Sequence, residues 1–435
     1  MIDIQILRDN PDLVAEKSKQ KGYEVDVPKI LELDKSRREL LQVVEALRAK
    51  RNEITERMKQ SVGGGKPDQA LIEEGKNLKI ELAEKENYLN SIEQNLTQLL
   101  KQVPNMPLDS VPVGASEDEN LEVKVWGQKR QFDFQPLNHA VFAENRGWLD
   151  KERAAKVTGA RFAYIKGDLV KLHWALLQFA SDILTDETQL SSIAESASLK
   201  VSSKPFTLVL PPHLLKTEIY DKMDRLEPQE ERYKIEGDEL WLQGSAEHVL
   251  GSMHADEILA EADLPIRYLG YATSFRREAG TYGKDMEGII RMHQFDKLEM
   301  ESLTVAEDGL SEHLFMVAIQ EYLMQQLNLP YHILEKCTFD IGKPDAKAVD
   351  IEAWVPTQNK YRETHTADYM TDYQARRLQT KVRRSSGETE LVYTNDATAL
   401  SMRPLVAIIE NYQTSDGKLI MPEVLRPYMG GREVL

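Results

Sequence analysis

Residues 275–300 read FRREAGTYGKDMEGIIRMHQFDKLEM, and the rest of the chain is organised around them. An apolar run, 266–273, leads into Phe275. Arg276 and Glu278 follow at i and i+2. A polar loop punctuated by Gly280, Gly283 and Gly288 separates them from a second apolar run carrying Arg291, Phe295 and Glu299. Two strand-like runs joined by such a loop predict an antiparallel hairpin. Period-two alternation puts Arg276 and Glu278 on one face, and 291, 293, 295, 297 and 299 on one face of the return strand. Two guanidinium groups, an aromatic plate and two carboxylates in one chamber suit a ligand with phosphates, a flat ring and an amine or hydroxyl. Alternating charge on a hairpin often marks only a solvated face. Here the opposite face is partly apolar (Ile290, Met292, Leu298), so both faces read as covered, and covered charges need partners or a ligand.

Bulk properties narrow the class. A chain of 435 residues predicts two or three domains with a substantial core. Cys337 is the only cysteine, which excludes an internal disulfide and a cysteine zinc cluster and fits a reducing cytoplasm. MIDIQILRDN has no basic, apolar leader pattern, and no run of 18 apolar residues predicts a membrane span. The net charge of −17 argues against nucleic acid, but it is unevenly spread. Between Lys35 and Lys59 eight basic residues face four acidic ones, leaving room for a local basic surface.

That basic stretch lies in a helical pattern. A helix start is predicted at Asp9-Asn10-Pro11. Ile30, Leu33, Leu40, Val44, Leu47, Ile54 and Met58 then follow a 3-4 repeat, with Arg37 and Arg51 interrupting the seam. After Gly63-Gly64-Gly65-Lys66-Pro67-Asp68 the repeat resumes through Leu71, Gly75, Leu78, Leu82, Lys85, Leu89, Ile92, Leu96, Leu99 and Val103. Two heptad runs joined by a glycine-rich turn predict an antiparallel helical hairpin, about 50 Å long at 1.5 Å per residue. An arm of that length projects. It serves either as a spacer or dimerisation element, or as a reach for a large partner whose phosphate backbone suits the basic face.

Val103-Pro104-Asn105-Met106-Pro107 ends the arm, and 108–130 reads as a connection ending in a strand-like LEVKVW (121–126). Beyond it the pattern is mixed. Helices are expected over 136–147, 169–184, 245–255 and 405–411, and strands over 160–165, 206–210, 240–242, 266–273 and 348–356. This mixture predicts a largely antiparallel sheet with helices packed on it. No GxGxxG or GxxxxGK[ST] loop exists, so a nucleotide site here is neither a Rossmann nor a P-loop site.

These motifs, in this order and behind this arm, resemble the seryl-tRNA synthetase family of class II aminoacyl-tRNA synthetases, in its bacterial form. The resemblance spans the whole chain. It rests on FRREAG…IIRMHQFDKLEM, VDIEAWVPTQNKYRE (349–363), TDYQARR (371–377), ENYQ…MPEVLRPYMGG (410–431) and the PNMPLDSVPVG junction (104–114). It implies an α+β architecture: an N-terminal antiparallel coiled-coil arm that binds tRNA (1–107), then a class II catalytic domain (108–435, with a linker over 108–130). It also implies a cytoplasmic homodimer. The substrates would be L-serine, ATP with Mg2+, and tRNA(Ser), with tRNA(Sec) where present. Three class motifs fall on 169–212, on the hairpin, and on 395–411 with Arg403.

Residue by residue, the resemblance implies that Arg276 meets the ATP α-phosphate and Glu278 the adenine amino group. Arg291 and Arg403 would take the outer phosphates and Phe295 would stack on the base. Glu363 and Thr366 would hold Mg2+, hard oxygen donors for a hard cation, with Thr364 and His365 beside them on the ATP. Arg276, Arg403 and Glu363 would carry the catalysis. Serine would lie against Ser245-Ala246-Glu247, where Glu247 takes the ammonium and Glu299 the hydroxyl. Asn395, Ala397 and Thr398 complete that pocket. Arg37, Arg38, Arg48 and Arg51 would grip tRNA.

The chain departs from the family pattern in three places. Ser245 replaces the usual threonine. ETHTADY (363–369) stands where E-[IV]-S-S-C-S-N is common, so that His365 and Asp368 are unusual. Ala397 stands where threonine or serine usually meets the substrate, with Thr398 one place on. Cys337, His248 and His254 read as structural residues, while His293 alternates on the ligand face. The basic run from Arg376 to Arg384 reads equally as surface or as tRNA contact. Two rivals remain: a paralogue that loads an amino acid onto a carrier protein, which would lack the arm, and a non-catalytic tRNA-binding scaffold, which would lack the arginines.

Overall fold

The computed structural model describes residues 1–61, 69–279 and 288–435, with only the backbone described at 61. The expected glycine-rich turn at 63–68 and the hairpin loop over 280–287 lie outside the described residues. The chain divides into two compact units, Met1–Met106 and Pro107–Leu435.

The first unit is helical. Asp3 caps α1 (Ile4–Asp9) by accepting from the Gln5 amide, and Pro11 opens α2 (Pro11–Gln20) at the position where its missing N–H costs nothing. The two long helices are α3 (Val27–Ser61) and α4 (Gln69–Leu100). Val44, Ile54, Leu71, Leu78, Leu82, Leu89, Ile92 and Leu96 form their buried seam, following the heptad pattern. At the end of α4 the seam passes to Leu100 rather than Leu99. Gly75 lets the helices close: a Cβ there would lie 3.1 Å from Met58 Cε. At the base, buried Asp34 is clamped by Arg8 through two hydrogen bonds of 2.8 and 2.7 Å. Arg8, helped by Arg38, holds this carboxyl below the ordinary aspartate range against the effect of its burial.

The second unit is built on an eight-stranded sheet. Its strands are β1 (Leu121–Trp126), β2 (Thr207–Val209), β3 (Ile266–Phe275), β4 (Gln294–Thr304), β5 (Tyr331–Glu335), β6 (Lys347–Val355), β7 (Lys360–Thr371) and β8 (Tyr393–Ser401). Their order is β1-β5-β6-β7-β8-β4-β3-β2, antiparallel except for β2 against β3. Alternation then sorts side chains. Leu269, Leu298, Met300, Ala367, Ala397 and Ala399 enter the main apolar core with α5 (Asp168–Leu184), α6 (Gly309–Gln326) and α7 (Arg403–Tyr412). The opposite face carries Glu299, Thr366, Asp368, Asp396 and Thr398, which line a cavity.

Residues 108–130 are woven into this unit: Leu108 N donates to Ala346 O, Val111 packs with Ile341 and Ala348, and 121–126 is the edge strand. The helix expected over 245–255 is only Glu247–Leu250. Gly251 caps it, and Ser252 Oγ donates back to His248 O. That short helix lies tightly on β3, where a Cβ on Gly270 would come within 2.6 Å of Leu250 Cδ1.

Candidate active site

The hairpin stretch does form paired strands, β3 with β4 from Ile266↔Leu303 to Phe275↔Gln294. Arg276 and Glu278 lie just past the end of β3, so strand alternation does not aim them. Instead Glu278 takes a left-handed backbone conformation (φ +50°), and its carboxylate meets Arg291 on the return segment. The result is one cavity of about 460 Å³ lined by Arg276, Glu278, Arg291, Phe295 and Glu299, among others.

At one end the cations stand out. Arg276 lies with its guanidinium 5.2 Å from the Phe295 ring centroid, anchored by Nε donating to Gly244 O at 2.9 Å. Arg291 Nη1 is 2.7 Å from Glu278 Oε2, and Arg403 Nη1 is 2.6 Å from Glu363 Oε1. Burial works against the Glu363 charge, but Arg403, Lys336, Arg276 and Lys297 outweigh it and hold this carboxyl down at about 2.

A β-bulge shapes the neighbouring wall. The register between β6 and β7 shifts between Ile351 and Glu352, which leaves Thr364 as the extra residue and its Oγ1 donating to Ile351 O. The bulge lets Glu363, Thr366 and Asp368 share the cavity face. It also removes His365 from that face: its Nδ1 meets Thr364 Oγ1, and burial depresses its pKa to about 4. Thr366 Oγ1 is 3.5 Å from Glu363 Oε1, and buried Asp350 Oδ1 beside them has no hydrogen-bond partner. This oxygen donor set fits a hard divalent cation.

At the other end carboxylates dominate. Glu247 Oε1 meets Arg225 Nε at 3.1 Å and His248 Nε2 at 3.3 Å. His248 Nδ1 accepts from the Gly244 amide, so its Nε2–H points at Glu247; burial lowers its pKa to about 4. Burial works to raise Glu247, but Arg225, His248 and Lys297 hold it well below the carboxylate range. Glu299 differs: burial pushes it up to about 7 despite Lys297 Nζ at 2.6 Å. Asp368 and Asp396 are raised well above the usual range by burial and by neighbouring carboxylates.

Several expected site residues are not brought here. Asn395 and Ala397 alternate onto the helix side of β8, where Asn395 Nδ2 donates to Gly309 O and Ala397 joins the apolar core. Thr398 and, between them in sequence, Asp396 are the residues that face the cavity. Ala246 packs with Leu250 and Ala272 instead, while Ser245 is buried beneath the cavity and bonded to Lys297 Nζ. His293 bonds the Arg276 carbonyl and does not line the cavity. Arg376, Arg377 and Arg384 pair with carboxylates of their own unit. Cys337 is buried, and His254 is held by Glu257 and Tyr268. On the arm, Arg37 and Arg48 pair with Glu93 and Glu86 across the two helices, Arg38 with Asp34, and exposed Arg51 contacts Asn52.

Four lining or supporting groups went unassigned from sequence. Period two put position 297 on the ligand face without giving Lys297 a role, and Asp396 alternates with Thr398, so the same rule could have found it. Asp350 is the register partner of Thr366. Arg225 carries no local signal at all.

Residues 1–107 match the seryl-tRNA synthetase N-terminal domain, and residues 231–412 match the class II tRNA synthetase core domain of the G, H, P, S and T group. The chain is 40% identical to a serine–tRNA ligase of Thermotoga neapolitana over 99% of both chains. It is 37% identical to one of Nitrosopumilus maritimus over the full length of both. Its fold is similar to the crystal structure of seryl-tRNA synthetase from Pyrococcus horikoshii complexed with ATP, with TM-score 0.87 and 34% identity over 100% of this chain and 99% of that one.

Proposed function

Because this chain belongs to the serine–tRNA ligase family of class II aminoacyl-tRNA synthetases, we propose a residue-level account of how its cavity joins serine to tRNA at the expense of ATP. The observation that carries it is the convergence of Arg276, Arg291, Arg403 and Phe295 at one end of a single cavity, with buried Glu247 and Glu299 at the other. Phe295 stacks on adenine, whose amino group meets Glu278. Arg291 and Arg403 release their carboxylate partners to take the outer phosphates. Arg276 neutralises charge on the α-phosphate as the serine carboxylate attacks and pyrophosphate leaves. Glu247, held ionised, takes the α-ammonium. Glu299 and Thr398 take the hydroxyl, and an acceptor left unpaired there disfavours substrates without one. The terminal hydroxyl of tRNA then attacks the acyl carbon, giving up its proton as the bond from that carbon to the phosphate oxygen breaks and AMP leaves. No protein nucleophile is required; positioning and fixed charge supply the rate.

Glu363 and Thr366, with Asp350, would hold Mg2+, which supplies further neutralisation of phosphate charge when bound. The arm's exposed ion pairs, each worth about 0–1 kcal/mol, exchange readily for tRNA phosphates, with Arg48 and Arg51 the better-placed donors. Arg38 serves the fold first. We assign residues 1–107 to tRNA binding and 108–435 to catalysis, on tRNA(Ser) and, where present, tRNA(Sec). A homodimer is supported by exposed Trp174, Leu208 and Leu210 beside the open edge of β2. Among the described residues no helix is long and apolar enough to cross a membrane, and we assign the enzyme to the cytoplasm on its family membership.

Serine-dependent ATP–pyrophosphate exchange followed by charging of tRNA(Ser) tests the account. Folded protein that exchanges with no amino acid sinks it. Exchange without charging would indicate a carrier-protein ligase. Deleting 36–99 should abolish charging and spare exchange.

A further inference from the structure

The amino-acid end of the cavity holds more carboxyl groups than serine can use. Among the described residues, buried Glu247, Glu299 and Asp396 and part-buried Asp368 line it, buried Glu301 and Asp345 lie next to them, and Arg225 and Lys297 pair with members of this group. One guanidinium serves four of these carboxylates: Arg225 lies 3.1 Å from Glu247, 3.4 Å from Asp345, 3.7 Å from Asp368 and 4.0 Å from Asp396. Lys297 serves Glu299.

Glu301 is left over. It is the register partner of Asp396 and shares the face of Glu299, yet neither of its oxygens has a hydrogen-bond partner, and the residue is 1% exposed. Glu299, equally buried and lining the cavity, has Lys297 Nζ at 2.6 Å from its Oε2 and no hydrogen-bond partner on Oε1. Carboxylate oxygens of Glu247, Glu299 and Asp396 come within 4.8 Å of one another. An α-ammonium docked on Glu247 brings one positive charge. A serine hydroxyl then offers a single donor, and no charge, to Glu299, Asp396 and Glu301. A second ammonium offers three donors and the missing charge. A divalent ion fits less well, because Arg225 and Lys297 already crowd the cluster with positive charge.

We propose that this pocket also accepts short diamino acids, in which an ammonium stands where serine has its hydroxyl. The proposal rests on the serine-activation reading above. The chemical step is the same: a carboxylate oxygen bonds to the α-phosphorus, the bond to pyrophosphate breaks, and the side-chain ammonium keeps its protons.

The test is ATP–pyrophosphate exchange by the full chain with serine, 2,3-diaminopropionate, 2,4-diaminobutyrate and alanine. The expected kcat/KM for 2,3-diaminopropionate is within about tenfold of that for serine and far above that for alanine. Asp396→Asn should lower it at least about tenfold more than it lowers the serine value, the range for losing a charged hydrogen bond; serine exchange by the same variant reports that the protein is folded. Exchange on serine with neither diamino acid active overturns the proposal and leaves the serine reading intact. Equal losses on both substrates in Asp396→Asn overturn it too, as does Mn2+ bound at the cluster without ATP, detected by electron paramagnetic resonance, in protein inactive on diamino acids. Exchange with no amino acid overturns both readings.

Discussion

The two ends of the cavity solve opposite electrostatic problems. At the phosphate end each of two arginines rests against one carboxylate, Arg291 on Glu278 and Arg403 on Glu363, and the residues are part-exposed. These pairs are placeholders that an anionic ligand can displace. At the amino-acid end one largely buried guanidinium, Arg225, is shared by four carboxylates, and the surplus is carried as raised proton affinity on Asp368, Asp396 and Glu299. The first end awaits charge, and the second is preloaded with it. Activity should therefore be most sensitive to change at the first end, and stability at the second.

The largest effect is expected for Arg276→Ala. Its guanidinium is fixed by Gly244 O and Phe295, so it pays no reorganisation when charge develops on the α-phosphate. Losing one preorganised donor of this kind costs on the order of 10²–10³ in rate. Serine-dependent pyrophosphate exchange should fall by that factor with the melting temperature nearly unchanged. A comparable loss of stability instead would mean that this arginine belongs to the scaffold.

Arg225→Met inverts that pattern. Removing one partner of a buried ion pair costs about 3–5 kcal/mol, because the other charge stays behind. Four carboxylates lose their cation here, and protonation is their one remaining relief. The catalytic unit of the variant should melt well below wild type, with a deficit larger at pH 8 than at pH 6. A deficit independent of pH would show that the carboxylates are not the cause.

How far the sequence revealed each end follows from the same contrast. The phosphate end is nearly local. Arg276, Glu278, Arg291 and Phe295 lie within one 26-residue stretch, so a hairpin pattern was enough to gather them, even though Glu278 arrives by a left-handed turn rather than by alternation. Glu363 and Thr366 came only from resemblance, since their spacing of three fits a strand face only across the bulge at Thr364. The amino-acid end is assembled from parts far apart in sequence: Arg225, Glu247, Glu299, Asp368 and Asp396. Nothing near Arg225 marks it as a buried hub. Resemblance pointed to Asn395, Ala397 and Thr398; the alternation of β8 keeps Thr398 at the cavity, brings in Asp396, which resemblance did not name, and turns Asn395 and Ala397 away. The arm lies at the other extreme, since a heptad seam is written residue by residue and the structure shifts it only at Leu100.

A smaller effect separates the ends by pH. Burial raises Glu299 to about 7 from an unfolded value near 4.5; Lys297 and Arg276 oppose the shift, and Glu247 adds to it. Between these values the folded state binds more protons than the unfolded state. This group's contribution to stability is therefore fully present below about 4.5 and is lost as pH rises through about 7. Glu299→Gln should flatten the fall in melting temperature across that interval. Serine, whose ammonium favours the ionised carboxylates, should release protons on binding at pH 7. Calorimetry in two buffers of different ionisation enthalpy reads this, and proton uptake would contradict the assignment.

The smallest stability effect belongs to the placeholder pairs. Arg291 and Glu278 meet at 2.7 Å, but the Arg291 side chain is 27% exposed, and exposed pairs contribute about 0–1 kcal/mol. Arg291→Ala and Glu278→Ala, alone and together, should each move unfolding free energy by no more than this, with a coupling energy near the lower bound. KM for ATP should nonetheless rise in Arg291→Ala, because the bound phosphate is the arginine's stronger partner. A coupling energy of several kcal/mol would make the pair part of the scaffold, like Arg225 and its carboxylates. The division between an end that waits for charge and an end that stores it would then fail at its best-defined contact.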